Sequence, residues 1–175
     1  RSMKNLDLTN KRKNAWGTGL IFNHEIDSIQ NVTVAAGFTR QISENANKTA
    51  YYSNAYALGL AYNFVHTTYG LDLERQVTKN QGDKRTKNEV RAVIRQGLNE
   101  DWNVYAMYAY KTDKQFGDTD RTRQFMVGTE YYVYNQGSLK VKPFLEWQAT
   151  RTKYENSAVD RSRDFKTVIG LRAYW

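Results

Sequence analysis

The chain has 175 residues, enough for one domain of ordinary size and too few for two well-packed ones. It contains no Cys, which excludes disulfides, thiolate metal sites and a cysteine nucleophile. Its net charge of +8 predicts an anionic partner. Its 13 Tyr beside 7 Phe predict contact with a membrane–water interface, where an apolar ring with a polar tip is favoured.

Hydropathy leaves two classes of fold. No stretch approaches the roughly 18 consecutive apolar residues of a membrane-spanning helix, so the sequence argues against a helical membrane protein. A soluble β protein or a transmembrane β-barrel remains, because a barrel carries its apolar band in alternate residues and keeps a polar average.

Alternation of apolar and polar residues recurs along the chain, and no segment has a clear helical period. This pattern predicts nine strands and a short one before them. In chain order they run near 5–10, 16–26, 32–42, 51–64, 68–79, 88–98, 102–111, 122–134, 140–153 and 165–175.

The connections between these strands alternate between two kinds. Tight turns are predicted at 27–30, 65–67, 99–101 and 135–138, and charged loops at 11–14, 43–48, 80–87, 112–121 and 155–164. Short turns at one rim and longer polar loops at the other are typical of outer-membrane barrels. We therefore predict an all-β fold with a single domain over residues 1–175, a transmembrane antiparallel up-and-down β-barrel of about 10 strands.

The last residues, Gly170 to Trp175, have apolar side chains at alternate positions and end on an aromatic residue. This looks like the C-terminal signal of outer-membrane barrels, and it predicts that Trp175 lies at the periplasmic rim. The tight turns are then periplasmic and the charged loops extracellular.

Apolar parity predicts which side chains face lipid and which face the lumen. The predicted lipid-facing sets include 56/58/60/62, 90/92/94, 104/106/108/110, 141/143/145/147 and 169/171/173/175. The opposite parity is charged and rich in Gly, and it includes the carboxylates Glu74, Glu130 and Glu146. Two interpretations of the charged lumen stay open: a salt-bridge network that fills the barrel, or an electrostatic track that selects anions.

The stretch Lys142-Pro143-Phe144-Leu145-Glu146-Trp147, followed by a polar loop and a short terminal strand with the pair Ile169-Gly170, resembles the oligogalacturonate-specific porins, the KdgM and sialic-acid porin group. The spacing of strands and turns can be followed back to about Trp16. The segment 98–102 looks like a periplasmic turn of that family.

The resemblance implies a narrow monomeric barrel of 12 strands that passes acidic oligosaccharides between rows of basic side chains. Only about ten strands are visible here, so an N-terminal hairpin is missing or the protein is a smaller relative. The basic residues that best match inward family positions are Arg91, Arg95, Lys111, Lys166 and Arg172. Val168 occupies a position where the family can carry an inward Arg.

The sequence therefore favours a porin of the bacterial outer membrane, with lipid or lipopolysaccharide around it and a small anionic solute within. A structural or adhesin-type barrel is the second hypothesis and an outer-membrane enzyme the third, because the only two His, His24 and His66, fall beside predicted periplasmic turns. We predict a monomer without cofactor or metal. Nucleic-acid binding is not expected, since the basic residues are spread along the chain and no recognition motif is present.

Overall fold

A computed structural model of the chain describes residues 2–3, 10–45, 50–80, 83–136, 139–155 and 161–174. All its regular structure is β. The strands are β1 (Ser2–Met3), β2 (Asn10–Asp27), β3 (Gln30–Asn45), β4 (Ala50–Phe64), β5 (Thr67–Asn80), β6 (Asp83–Gly97), β7 (Trp102–Gln115), β8 (Asp118–Tyr131), β9 (Tyr134–Gln136), β10 (Leu139–Lys153) and β11 (Arg161–Tyr174).

The strands form one antiparallel up-and-down sheet. Each long strand pairs with the next long strand in sequence, in the order β1-β2-β3-β4-β5-β6-β7-β8-β10-β11, and the short β9 pairs with the start of β10. With β1 and β9 only two and three residues long, nine long strands remain of the eleven. Within the described residues β11 pairs with β10 alone, so the sheet is open and its closure into a barrel stays a prediction.

All nine long strands that alternation predicts are confirmed. The predicted short strand at 5–10 lies outside the described residues except for Asn10, where β2 begins. Trp175, the predicted terminal aromatic, also lies outside them. The described part of the chain has no helix long and apolar enough to cross a membrane.

Two of the five predicted charged loops are wrong, because strands continue through most of their residues. The central residues of the other three, 46–48, 81–82 and 156–160, lie outside the described residues. Residues 11–14 belong to β2, and the loop predicted at 112–121 is a two-residue turn between β7 and β8. Charged side chains extend the ladder here because they pair across strands. Arg85 on β6 donates to Asp113 on β7 at 2.8 Å and 2.5 Å.

Gly117 explains the tight turn at this hairpin. Its φ of 94° follows a φ of 53° at Phe116, and two successive positive φ values are typical of the two-residue turns that match strand twist. A Gly tolerates this backbone freely, whereas Phe116 carries the cost of a left-handed conformation.

Three predicted tight turns are confirmed, at 28–29, 65–66 and 98–101. Short polar side chains fix two of them. The Asp27 carboxylate accepts a hydrogen bond from the Ile29 amide at 2.9 Å, and the Asn99 side-chain oxygen accepts one from the Trp102 amide at 2.7 Å. The fourth predicted turn includes residues 137 and 138, which lie outside the described residues; before it the chain forms the short strand β9.

Strand register confirms that the predicted apolar and polar sets lie on opposite faces of the sheet. Leu58 pairs with Leu73, which pairs with Val90, so these side chains share one face. Gly59 pairs with Asp72, which pairs with Arg91 on the other face. We call these the apolar face and the polar face.

Burial is inverted relative to a soluble sheet. On the apolar face large side chains are exposed, for example Leu58 at 46% and Ile169 at 80%. On the polar face Glu130 is 3% exposed, and Ala109, at 0%, is the only buried apolar residue of the described chain. Burial of apolar surface is the main force that holds soluble domains together, and this sheet leaves that surface uncovered.

We expect the chain to fold only in detergent or lipid, because its apolar face has no partner within the described chain. Circular dichroism should show β structure in detergent micelles, and sedimentation in plain buffer should show aggregates. A folded, monodisperse species in plain buffer would contradict this reading of the two faces.

Candidate functional site

The eight predicted pore-lining residues all lie on the polar face. Glu89 lies opposite Glu74 on one neighbouring strand and opposite Lys111 on the other. Glu130 lies opposite Asn103, and Glu146 lies opposite Val168. The same parity includes Arg91, Arg95, Lys166 and Arg172.

Six polar-face residues are connected by ion pairs and hydrogen bonds, and we call them the Glu130 cluster: Arg95, Tyr105, Glu130, Lys142, Glu146 and Arg172. Glu130 forms ion pairs with Arg172 at 2.9 Å, with Lys142 at 3.2 Å and with Arg95. Glu130 and these three cations come from β6, β8, β10 and β11, so the carboxylate links four strands. Three cations around it offset the cost of burying its charge.

Glu146 extends the cluster from β10. One of its oxygens accepts a hydrogen bond from the Tyr105 hydroxyl at 2.6 Å and from Arg172 at 2.7 Å. Arg172 therefore bridges both carboxylates with its two terminal nitrogens, a geometry that a planar guanidinium suits and an ammonium does not.

Aromatic rings cover the cations of this cluster. The Arg172 guanidinium lies 4.1 Å from the centroid of the Phe144 ring, and the Lys142 ammonium lies 4.5 Å from that of Tyr132. Such contacts favour a cation over the ring face and limit its freedom.

Two glycines make room for these rings. A Cβ at Gly128 would lie 2.5 Å from the Tyr105 ring, and one at Gly170 would lie 2.5 Å from the Phe144 ring. Each ring lies across the neighbouring strand where that strand has no side chain. The glycine positions thus let Tyr105 reach Glu146 across β8.

A second group, the Glu89 cluster, consists of Asp72, Glu89, Arg91 and Lys111. Arg91 forms ion pairs with Glu89 at 2.8 Å and with Asp72 at 3.9 Å, and Lys111 reaches the other Glu89 oxygen at 3.1 Å. The two predicted cations of this region are therefore paired. The salt-bridge interpretation of the charged face is favoured here, and both clusters match it.

Two of the predicted residues stay outside these clusters. Lys166 is exposed on β11, opposite Gln148, and forms no ion pair with a described carboxylate. Glu74 is exposed opposite Glu89 and likewise has no ion pair in the described chain.

Small residues line the other half of the polar face. A groove of about 570 Å³ runs over Gly19, Gly37 and Gly59 and reaches Glu74 and Arg91. A second groove of about 300 Å³ begins at Glu74 and continues along β6 and β7. The polar face thus combines an open, small-residue side with a side of large charged and aromatic groups.

Tyr105, Lys142 and Asp72 were not among the predicted site residues, although they lie on the polar face. The signal that could have found them is parity together with register, because the residues sit beside predicted ones on adjacent strands. Nothing in the sequence around Gly128 pointed to its role, because that role is to make room for the Tyr105 ring of the neighbouring strand.

The described residues contain no group of three or more His, Cys, Asp or Glu that could hold a metal ion. His24 lies on β2 near its turn and His66 lies in the turn before β5, both at the rim of the short turns. Their predicted position beside the turns at 28–29 and 65–66 is confirmed, and the periplasmic side of these turns stays a prediction.

We expect Glu130→Gln to lower the free energy of unfolding by about 2 kcal/mol, because three cations lose their shared carboxylate. The value is below that of a fully buried pair, since Arg95 and Arg172 retain contact with solvent. Urea unfolding in micelles measures it. Glu74→Gln removes an unpaired carboxylate on the same face and serves as control; an equal loss in both variants would contradict the role given to Glu130.

We expect Gly128→Ala to cost about 1–3 kcal/mol, because the new Cβ displaces the Tyr105 ring. Gly70→Ala is the matched control, since its Cβ would come no closer than 3.7 Å to Val93. Unfolding midpoints of the two variants in the same detergent make the comparison. If Gly128→Ala is as stable as Gly70→Ala, the ring does not occupy the place described.

No family model matches the sequence, and no curated protein matches it. The resemblance to oligogalacturonate-specific porins therefore rests on the residues and spacing quoted for it.

Proposed function

We propose that the protein is an outer-membrane β-barrel whose polar face surrounds a channel for passive diffusion of small anionic solutes. The observation that carries the proposal is the inverted burial, with large apolar side chains exposed on one face while the buried charged residues, Glu130 and Lys142, lie on the other. In a lipid bilayer, hydrocarbon covers the apolar face of a barrel, while the polar face lines an interior that holds water.

The length of the strands also supports a location in a lipid bilayer. The long strands have 14 to 18 residues, and a tilted strand needs only about 9–11 to cross the hydrocarbon core. The remaining residues reach past the core, which accounts for the charged pairs near the β7–β8 turn, such as Arg85 with Asp113.

Membrane insertion requires that the two sheet edges be paired, because hydrocarbon offers no partner to free backbone groups. With nine alternating long strands, β2 and β11 run in the same direction. One further strand antiparallel to both would close the sheet with the ten strands that the sequence predicts. β1 lies on the free edge of β2 and has the required direction.

Charge on the polar face bears on the choice of solute. Every carboxylate on the described strands between Asp72 and Asp164 lies on this face, so its cations are largely balanced. The Glu130 cluster has one surplus positive charge, with three cations and two carboxylates. A surplus positive charge in a narrow, low-dielectric passage favours anions there, and acidic oligosaccharides are the class that the resemblance implies.

The same cluster supports a second candidate, a structural barrel that conducts nothing. Its ion pairs join four strands, and groups held to each other in this way are not free to bind a solute. Conductance of the reconstituted protein in planar bilayers separates the two functions. Single-channel steps support the porin, and a silent, folded barrel supports the structural role.

We expect Arg91→Gln with Arg95→Gln to shift the reversal potential toward cations, because each cluster loses one positive charge. The clusters survive the change, since Lys111 stays on Glu89, and Lys142 and Arg172 stay on Glu130. The shift should shrink at 1 M salt, where screening acts within about 3 Å.

Arg121→Gln with Arg123→Gln is the matched control, because it removes two charges from the opposite face. The control should leave selectivity unchanged. An unchanged reversal potential at low salt in the folded Arg91/Arg95 variant would refute the anion mechanism, and an equal shift in both variants would show that only total charge matters.

A further inference from the structure

Six cations that are spread over residues 121–163 of the sequence lie together on the apolar face, and we call them the six-cation patch: Arg121, Arg123, Arg151, Lys153, Arg161 and Arg163. These six are separated in the sequence, and three adjacent strands bring them together. All six side chains are exposed.

Register arranges the patch as two rows of three. Arg151 pairs with Arg123 on one side and Arg163 on the other. Lys153 pairs with Arg121 and Arg161 in the same way. Directly opposed side chains on neighbouring strands have Cβ atoms about 4.5–5.5 Å apart, so like charges there repel.

Within the described chain these cations form no ion pair, and the one carboxylate near them is that of Glu155. The carboxylates of β8, β10 and β11 lie on the polar face. Glu155 lies at the edge of the patch, and its carboxylate accepts a hydrogen bond from the Thr119 amide. A groove of about 300 Å³ is lined by Arg121, Lys153 and Arg161 together with Glu155, so it has three cations and one carboxylate.

Aromatic side chains border the patch on the side of the apolar band. Phe125 lies two residues after Arg123 on β8, and Phe165 lies two residues after Arg163 on β11. Both pair with Ala149 of β10. The Trp147 ring lies 6.1 Å from that of Phe165 and 6.4 Å from that of Phe125. Aromatic rings followed by cations are typical of the boundary between hydrocarbon and headgroups.

We infer that the six-cation patch binds the phosphate groups of a membrane lipid that carries more than one phosphate, of the lipopolysaccharide type. The inference rests on the membrane location proposed above and adds the class of lipid and its site. Phosphates supply the missing counter-charge and suit the planar donors of the five Arg, while the acyl chains of the same molecule cover the aromatic border.

Two lipids that differ in one phosphate make the test specific. The purified full chain in zwitterionic detergent is titrated with bisphosphorylated lipid A, with monophosphorylated lipid A, and with phosphatidylcholine. We expect the affinity to rise with phosphate number. Inorganic phosphate at equal concentration should bind weakly, because it lacks the acyl chains.

The variant Arg123→Gln, Arg151→Gln, Arg163→Gln removes one complete row. Its affinity for bisphosphorylated lipid A should fall on the order of 100-fold, since each cation beside an anionic surface contributes about fivefold. The matched control is Arg75→Gln, Lys84→Gln, Lys114→Gln, which removes three charges from the apolar face outside the patch. It should change the affinity by no more than about twofold.

A stability measurement separates binding from a structural role. In zwitterionic detergent the row variant should unfold at the same temperature as the parent or a higher one, because repulsion within the row is relieved. Lipid A should then raise the unfolding temperature of the parent and the control but not of the row variant.

Several outcomes would overturn the inference: equal losses of affinity in both triple variants, a row variant that is destabilised without lipid, or single-stranded DNA that binds as tightly as lipid A. A dimer in detergent that the row variant abolishes would instead assign the patch to a second copy of the chain. A chain that inserts into phosphatidylcholine vesicles yet ignores phosphate number refutes this inference alone, whereas a chain that inserts into no vesicle refutes the membrane proposal.

Discussion

Every feature of this molecule depends on the backbone ladder that keeps nine long strands in one register. Side chains alternate between faces with a period of two, so a slip of one residue in any strand would exchange its apolar and polar sets. Such a slip in β8 would turn Glu130 to the apolar face and Val127 to the polar one. The need to keep one face apolar therefore selects a single register, and that register in turn decides which side chains share a face.

Alternation in the sequence predicted the nine long strands and the face of each predicted site residue because these properties are local. The ends of the strands were not predictable in the same way. The segment 112–121 has the composition of a loop, yet Gly117 closes a two-residue turn and Asp113 pairs with Arg85 from another strand. The charge and polarity of a residue can be read from the sequence. Whether a strand continues through that residue depends also on its partner in the neighbouring strand, which the sequence does not show.

The candidate site shows the same division between local and long-range information. Parity places Glu130 and Glu146 on one face, but three cations from three other strands meet at Glu130 only because of the sheet order. The Glu130 cluster also connects residues up to 77 positions apart, from Arg95 to Arg172. The six-cation patch escaped sequence analysis for this reason, since its rows exist only across strands.

The turn at Phe116 and Gly117 leaves almost no chain outside the β7–β8 ladder. A protease must draw several extended residues into its cleft, and this hairpin offers none without unpairing strand residues. The short turn also limits evolutionary change in length, because an inserted residue would disturb a turn that needs positive φ at two successive positions. Sequence variation at this hairpin is therefore expected in the side chains at the ends of β7 and β8, with the length of the turn held constant.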